Sequence, residues 1–136
     1  MNYSSVLIID QTLKEEVGKQ TNAAFVLGLT AGRLLSDSTF GHEVIDGDGS
    51  KHAFLTNLPH FIKKATQSKM RSLRAEFMEV EGVIVVDYTE AAAPSTYADY
   101  ARVLGEQEGE EISYRALYVY GPEEIVGAKT KNLSRL

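Results

Sequence analysis

A strand that passes straight into a helix through Gly-Pro leaves a chain few ways to fold. The apolar segment Tyr114–Tyr120 runs into Gly121-Pro122, and a short helix is predicted at once. Pro122 takes the first helical position, Glu123 and Glu124 fall in the first turn, and Lys129 and Lys131 fall near the end. That order suits the fixed φ of proline and the polarity of the helix dipole. Two further apolar strands, Val6–Ile9 and Val83–Val86, end in polar corners, each on an aspartate, Asp10 and Asp87.

Other elements fall between these strands. Ser5–Asp10 is predicted as a strand buried on both faces, because Val6-Leu7-Ile8-Ile9 is continuously apolar rather than alternating. Lys19–Leu35 is predicted helical and, being apolar nearly all round, largely buried. Gly28 and Gly32 each cost roughly 1 kcal/mol of helix propensity, so close packing against a sheet is the expected reason for them. His42–Asp46 and Lys51–Leu55 flank Gly47-Asp48-Gly49-Ser50 as a hairpin, and Pro59–Lys64 is a further short strand. Thr66–Val80 carries Met70, Leu73 and Phe77 at amphipathic spacing. After the linker Ala91-Ala92-Ala93-Pro94, Ser95 or Thr96 caps a helix with the apolar stripe Tyr97, Tyr100, Ala101 and Leu104. Glu106–Glu111 is an acidic loop.

Strands alternating with helices predict one α/β domain over residues 1–136. The hairpin adds antiparallel pairing, so the expected sheet is mixed but mainly parallel, with the three apolar strands at its centre. Their carboxyl ends would then share one edge, where open α/β sheets bind ligands.

Composition narrows the function classes. The chain has 136 residues, 43% of them hydrophobic, which suits a globular core. No apolar run approaches the roughly 18 residues of a membrane span, so no membrane partner is expected. The start of the chain shows no basic, cleavable leader, and there are no cysteines for disulfides or thiolate metal sites. A cytoplasmic location is the expectation. The formal charge of −5 argues against nucleic-acid binding by overall charge, though a local basic patch remains open.

Candidate chemistry gathers at the strand ends. Asp10 and Asp87 would stand at the mouth of a cleft, one of them as general base, or each simply leaves the core in a turn. Tyr88 and Thr89 place two hydroxyls beside Asp87. Lys19 and Asn22 lie at the start of the helix after the first strand, where free N–H groups favour anions; the plainer reading is a solvated lysine and an N-cap asparagine. His42, His52 and His60 fit no metal motif, and Asp46-Gly-Asp48-Gly lacks the later ligands of a calcium loop, so a turn explains it better. No metal site or cofactor is predicted. Lys63, Lys64, Lys69, Arg71 and Arg74 form a basic run free of acids, either a solvated face or a contact for RNA or phosphate.

These residues also carry a resemblance. Gly121-Pro122 followed by Val126, Thr130 and Leu133 resembles the C-terminal signature of type II peptidyl-tRNA hydrolases. Gly18-Lys19 is similar to their Gly-Lys motif, and Val85-Val86-Asp87 to the strand that delivers their proposed catalytic aspartate. A nearer resemblance is to a bacterial family of uncharacterised small proteins sharing that fold, a domain of unknown function. It rests on Asn22-Ala-Ala-Phe-Val-Leu-Gly-Leu, Asp46-Gly-Asp-Gly, Val86-Asp-Tyr-Thr, Thr96-Tyr-Ala-Asp-Tyr, Tyr120-Gly-Pro and Lys129-Thr-Lys-Asn-Leu. The resemblance implies a three-layer α/β/α domain with a mixed sheet of about four strands and no established activity. It makes Asp87 and Lys19 the catalytic candidates. Asp10, Asn22, Tyr88, Thr89, Gly121 and Thr130 are the ligand-binding candidates.

The chain departs from the hydrolases where they carry glutamine and histidine in the first helix, having Ala23 and Val26. Ala116 replaces a threonine early in the last strand, and Tyr88-Thr89 follows Asp87 in place of Ala-Gly. Those groups orient water and bind the oxyanion, so their loss favours a binding module for a small molecule, a peptide or an RNA end over a diverged hydrolase. Asp87, Lys19 and Asn22 are expected to share one pocket. The tyrosines at 88, 97, 100, 114, 118 and 120 suggest a homodimer.

Overall fold

The structure is a computed structural model; it describes residues 2–93 and 95–136, so Pro94 of the expected linker lies outside the described residues. Its spine is β1 (Tyr3–Asp10), whose side chains from Val6 to Asp10 are all buried. α1 (Val17–Leu34) follows, then a small hairpin of β2 (Val44–Ile45) and β3 (Lys51–His52). β4 (Phe61–Ala65) leads into α2 (Gln67–Met78), and β5 (Ile84–Thr89) into α3 (Tyr97–Glu106). β6 (Tyr114–Pro122) enters a π-type turn, Glu123–Gly127, that continues as α4 (Ala128–Thr130) before the short edge strand β7 (Ser134–Arg135).

The main sheet has five strands in the order β5-β6-β1-β4-β7. Among the described residues, only β1 and β4 pair in parallel; β6 runs antiparallel to both β1 and β5, and β7 antiparallel to β4. This corrects the expected mainly parallel sheet of about four strands. The reason is the connection after β5. Residues 90–113 return the chain to the edge it left, making Thr89 and Tyr114 register partners, so β6 must run back down the sheet. The carboxyl ends of β1, β4 and β5 therefore share one edge, called here the upper edge. Gly121-Pro122 lies at the opposite, lower edge, with Pro122 opposite Tyr3.

Each face of the sheet carries its own core. Val6, Ile8, Leu117 and Val119 pack against Met70, Leu73 and Phe77 of α2 and against Val126. Leu7, Ile9, Ala116 and Tyr118 pack against Ala23, Leu27, Ala31 and Leu35 on the α1 side. The α2 stripe is the expected one, and Thr66 caps that helix by accepting from Lys69 N–H.

α1 differs from expectation. It starts at Val17 and buries only Ala23, Leu27 and Ala31, while Phe25 and Leu29 stay 67% and 65% exposed. A single i, i+4, i+8 stripe reaches the sheet, and the other apolar positions turn outward. A Cβ on Gly28 or Gly32 would meet nothing within 4 Å, so these glycines flank open space rather than a close helix–sheet contact. Tyr97, expected in the apolar stripe of α3, is also exposed.

Candidate functional site

At the upper edge most of the expected residues are satisfied by neighbouring side chains or backbone. The Asp10 carboxylate accepts from Thr12 N–H at 3.0 Å and from Thr12 Oγ1 at 2.9 Å, closing the turn after β1. Lys19, in the first turn of α1, forms an exposed ion pair with Glu16 at 2.9 Å. Asn22 Oδ1 accepts from the Tyr88 hydroxyl at 3.1 Å. The Arg115 guanidinium lies 5.4 Å from the centre of the Tyr88 ring and donates to both Glu90 oxygens, at 3.2 and 2.8 Å. The Glu90 hydrogen bonds raise the Arg115 pKa and outweigh the opposing effect of its burial.

Asp87 belongs to the other face. Its carboxylate accepts from Arg74 Nε of α2 at 2.8 Å. Burial disfavours the Arg74 charge, but the bond and the charge of Asp87 prevail, and its pKa rises. Nearby Tyr100 is pushed up first by burial and then by the Asp87 charge. Asp87 also borders a cavity with Val26, Leu27 and Thr30 from the middle of α1. Lys19 and Asn22 are not among the residues that line it. Thr89, buried beneath α2, lines a small cavity of about 140 Å³ with Arg74 and Asp87, and its Oγ1 has no partner among the described residues.

Gly121 and Thr130 stand at the lower edge, away from the rest. A Cβ on Gly121 would come within 2.9 Å of both Val126 Cγ2 and Val83 Cγ2, so glycine is required for the turn to pack there. Thr130 Oγ1, fully buried, donates to Val126 C=O at 2.8 Å. In the hairpin, Asp46 accepts from Asp48 and Ser50 N–H and pairs with His52 at 2.8 Å, which explains the Asp-Gly-Asp-Gly segment as a turn.

The group that sequence reasoning passed over lies on the α1 face toward the lower edge. A groove of about 320 Å³ runs between the second half of α1 and the start of β4. Its walls include Leu27, Ala31, Leu35, Phe40 and Ile62, and the bare backbone at Gly28 and Gly32 widens it. Polar groups meet at one place. Ser5 Oγ, 1% exposed, bonds to the Tyr118 hydroxyl at 2.7 Å and to His60 Nδ1 at 2.5 Å. His60 Nε2 meets Thr56 Oγ1 at 2.6 Å. Burial lowers the His60 pKa below 6.5, so the ring is neutral at pH 7 and presents one donor and one acceptor nitrogen. Burial raises the Tyr118 pKa against the smaller lowering effect of Ser5, keeping the phenol protonated. The only sequence signal for this group was a serine in phase with Leu7 and Ile9 on a buried strand.

Comparison with known proteins adds family and fold. The profile of a family described as "Protein of unknown function (DUF2000)" matches residues 4–136. A solved structure of a protein of unknown function from Agrobacterium tumefaciens is similar over 100% of this chain and 98% of its own, with a TM-score of 0.74 at 14% identity. At that identity the likeness shows a shared fold alone. No curated protein matches the chain in sequence. Among the described residues, no helix is long and apolar enough to cross a membrane.

Proposed function

Since the chain belongs to the DUF2000 family of unknown function, which brings no activity with it, we propose that it is a binding module that takes a small amphipathic molecule into the groove between α1 and β4. One observation carries this reading: an apolar cleft of about 320 Å³ whose hydrogen-bonding groups, Ser5, Thr56, His60 and Tyr118, are linked in one chain. Ligand sites are commonly apolar clefts of this size with a few convergent polar groups that fix orientation. The expected ligand has an apolar body and one hydroxyl or carboxylic head, which takes the place of one hydrogen bond in the chain.

The proposed site thus lies at the amino ends of β1 and β4 rather than at the strand carboxyl edge. In this reading Asp87, Lys19, Asp10, Asn22, Tyr88, Thr89, Gly121 and Thr130 support the frame. Backbone amide shifts during titration with octanoate and indole-3-acetate test it. Perturbations centred on Ser5, Gly28, Gly32 and His60 are expected. Perturbations centred on Asp87, Lys19 and Asn22 would return the site to the upper edge.

The Ser5–His60 contact supports a second reading, a hydrolase with Ser5 as nucleophile and neutral His60 as base. The near-complete burial of Ser5 and the Tyr118 bond to the same oxygen favour binding over attack. Turnover of a p-nitrophenyl ester that disappears in Ser5→Ala would reverse that preference.

Helices on both faces of a mixed sheet with four longer strands support the type II peptidyl-tRNA hydrolase architecture, which we propose together with the bacterial origin and cytoplasmic location implied by the resemblance. For a homodimer, the outward face of α1, with Phe25 and Leu29 exposed, offers a surface besides the exposed Tyr97, since Tyr88, Tyr114 and Tyr118 are buried in the core. Sedimentation that stays monomeric in the wild type at all concentrations would remove the dimer.

A further inference from the structure

A second cavity, of about 390 Å³, lies on the other face of the sheet at its lower edge, between the starts of β1 and β4, the Glu123–Gly127 turn and β7. Lys63, Lys131 and Arg135 line it together with the Ser4 side chain. None of the three cations makes an ion pair with a described residue, although acidic residues outnumber basic ones in the chain, 19 to 14. Lys63 Nζ has one modest bond, to Leu133 C=O at 3.3 Å. Glu123 is the one carboxylate among the lining residues, and it is exposed.

The pairing makes this arrangement unfavourable without a ligand. Lys63 and Arg135 are direct cross-strand partners in the antiparallel β4–β7 pair. Side chains at such positions start roughly 5 Å apart at Cβ, and like charges directly opposite destabilise the pair. A sheet can carry lysine on an edge strand to discourage aggregation. That use does not call for a second cation directly opposite, nor for a third, from the α4 end, brought to the same cavity.

We propose that this cavity binds a small phosphorylated molecule, its phosphate held between Lys63, Arg135 and Lys131 with the Ser4 hydroxyl as a further donor. A doubly charged phosphate matches two opposed cations better than a single carboxylate does. Arg135 supplies a planar fork and the lysines supply point charges. The cavity has room for a phosphate and a small organic body. The site is independent of the apolar groove: it lies on the opposite face and uses none of Ser5, Thr56, His60 or Tyr118.

Pyrophosphate, inorganic phosphate and a short single-stranded RNA, each titrated at constant ionic strength, provide the test, read by thermal shift and by amide chemical shifts. Saturable binding of pyrophosphate is expected, with shifts at Lys63, Lys131 and Arg135. Lys63→Met and Arg135→Met should each weaken it about tenfold, as expected on losing a hydrogen bond to a charged group. Both variants should melt at or above the wild-type temperature in phosphate-free buffer, because the repulsion is relieved. Lys131→Ala, at an exposed position, weakens binding without risk to the fold. The proposal is overturned if pyrophosphate gives no saturable response, if the three variants bind it like the wild type, or if only the RNA binds.

Discussion

The two edges of the sheet draw on similar polar residues and treat them in opposite ways. At the upper edge the charges are matched: Asp10 by Thr12, Lys19 by Glu16, Asp87 by Arg74, and Glu90 by Arg115. At the lower edge, Lys63 and Arg135 stand side by side on neighbouring strands and line a cavity, and the Ser5–His60 chain opens into an apolar groove. A strand-end carboxylate bound to its neighbours is part of the frame. Cations without an ion-pair partner beside open space, and a polar chain at the mouth of an apolar groove, are groups a ligand can still engage. Substitutions at the upper edge should therefore act on stability, and those at the lower edge on binding.

The strongest challenge to that contrast is Arg115→Ala. Arg115 is 6% exposed, donates twice to Glu90 and covers the Tyr88 ring. Removing it takes away charged hydrogen bonds and buried packing together, with an expected loss of about 3 kcal/mol in urea unfolding. Groove binding should be unchanged. A normal stability with impaired binding would place the site at the upper edge after all.

Arg74→Ala should have a smaller effect. It leaves the Asp87 carboxylate, 18% exposed, without its partner. A fully buried broken pair costs about 3–5 kcal/mol, and partial exposure reduces this to about 2 kcal/mol. Urea unfolding measures it, and recovery in Arg74→Ala/Asp87→Asn would show that the unpaired charge is the cause. If Asp87 is instead a catalytic base, the double variant would recover stability while losing a measurable activity.

The lower edge should respond in the opposite sense. At Gly28 a Cβ meets nothing within 4 Å, so Gly28→Ala adds helix propensity without a clash. Stability should rise by about 0.5–1 kcal/mol. The bulkier Gly32→Leu should weaken octanoate binding by narrowing the groove, with little change in unfolding. A destabilised Gly28→Ala would mean that the glycines are needed for helix–sheet packing.

Much of the frame could be read from residue pattern. Met70, Leu73 and Phe77 declared the buried stripe of α2, and Val6-Leu7-Ile8-Ile9 declared a strand covered on both faces. Strand direction could not be read, because an apolar run carries no polarity. It depends on residues 90–113 bringing Tyr114 back beside Thr89. The burial of α1 departs from its sequence pattern for a related reason. A helix apolar all round does not reveal which stripe meets the sheet, and Ala23, Leu27 and Ala31 were chosen by tertiary contact. The groove was least legible of all. Ser5 and His60 are 55 residues apart, and the β1–β4 register, Val6 opposite Phe61, brings them together.

The smallest expected effect is a pH dependence confined to the groove. Burial holds the His60 pKa below its ordinary 6.5 in the folded chain, while the unfolded chain takes up a proton near that value. The stability linked to His60 is therefore complete above pH 6.5. It falls as the pH drops from there toward the lower folded value, because the unfolded state binds the proton first. Below the folded value the contribution is constant. His60→Gln keeps a hydrogen-bonding side chain and removes this titration, so subtracting its melting curve from that of the wild type between pH 7 and pH 5 isolates the step. If His60→Gln follows the wild-type profile, the histidine titrates as a solvated side chain and its place in the hydrogen-bonded chain with Ser5 is lost.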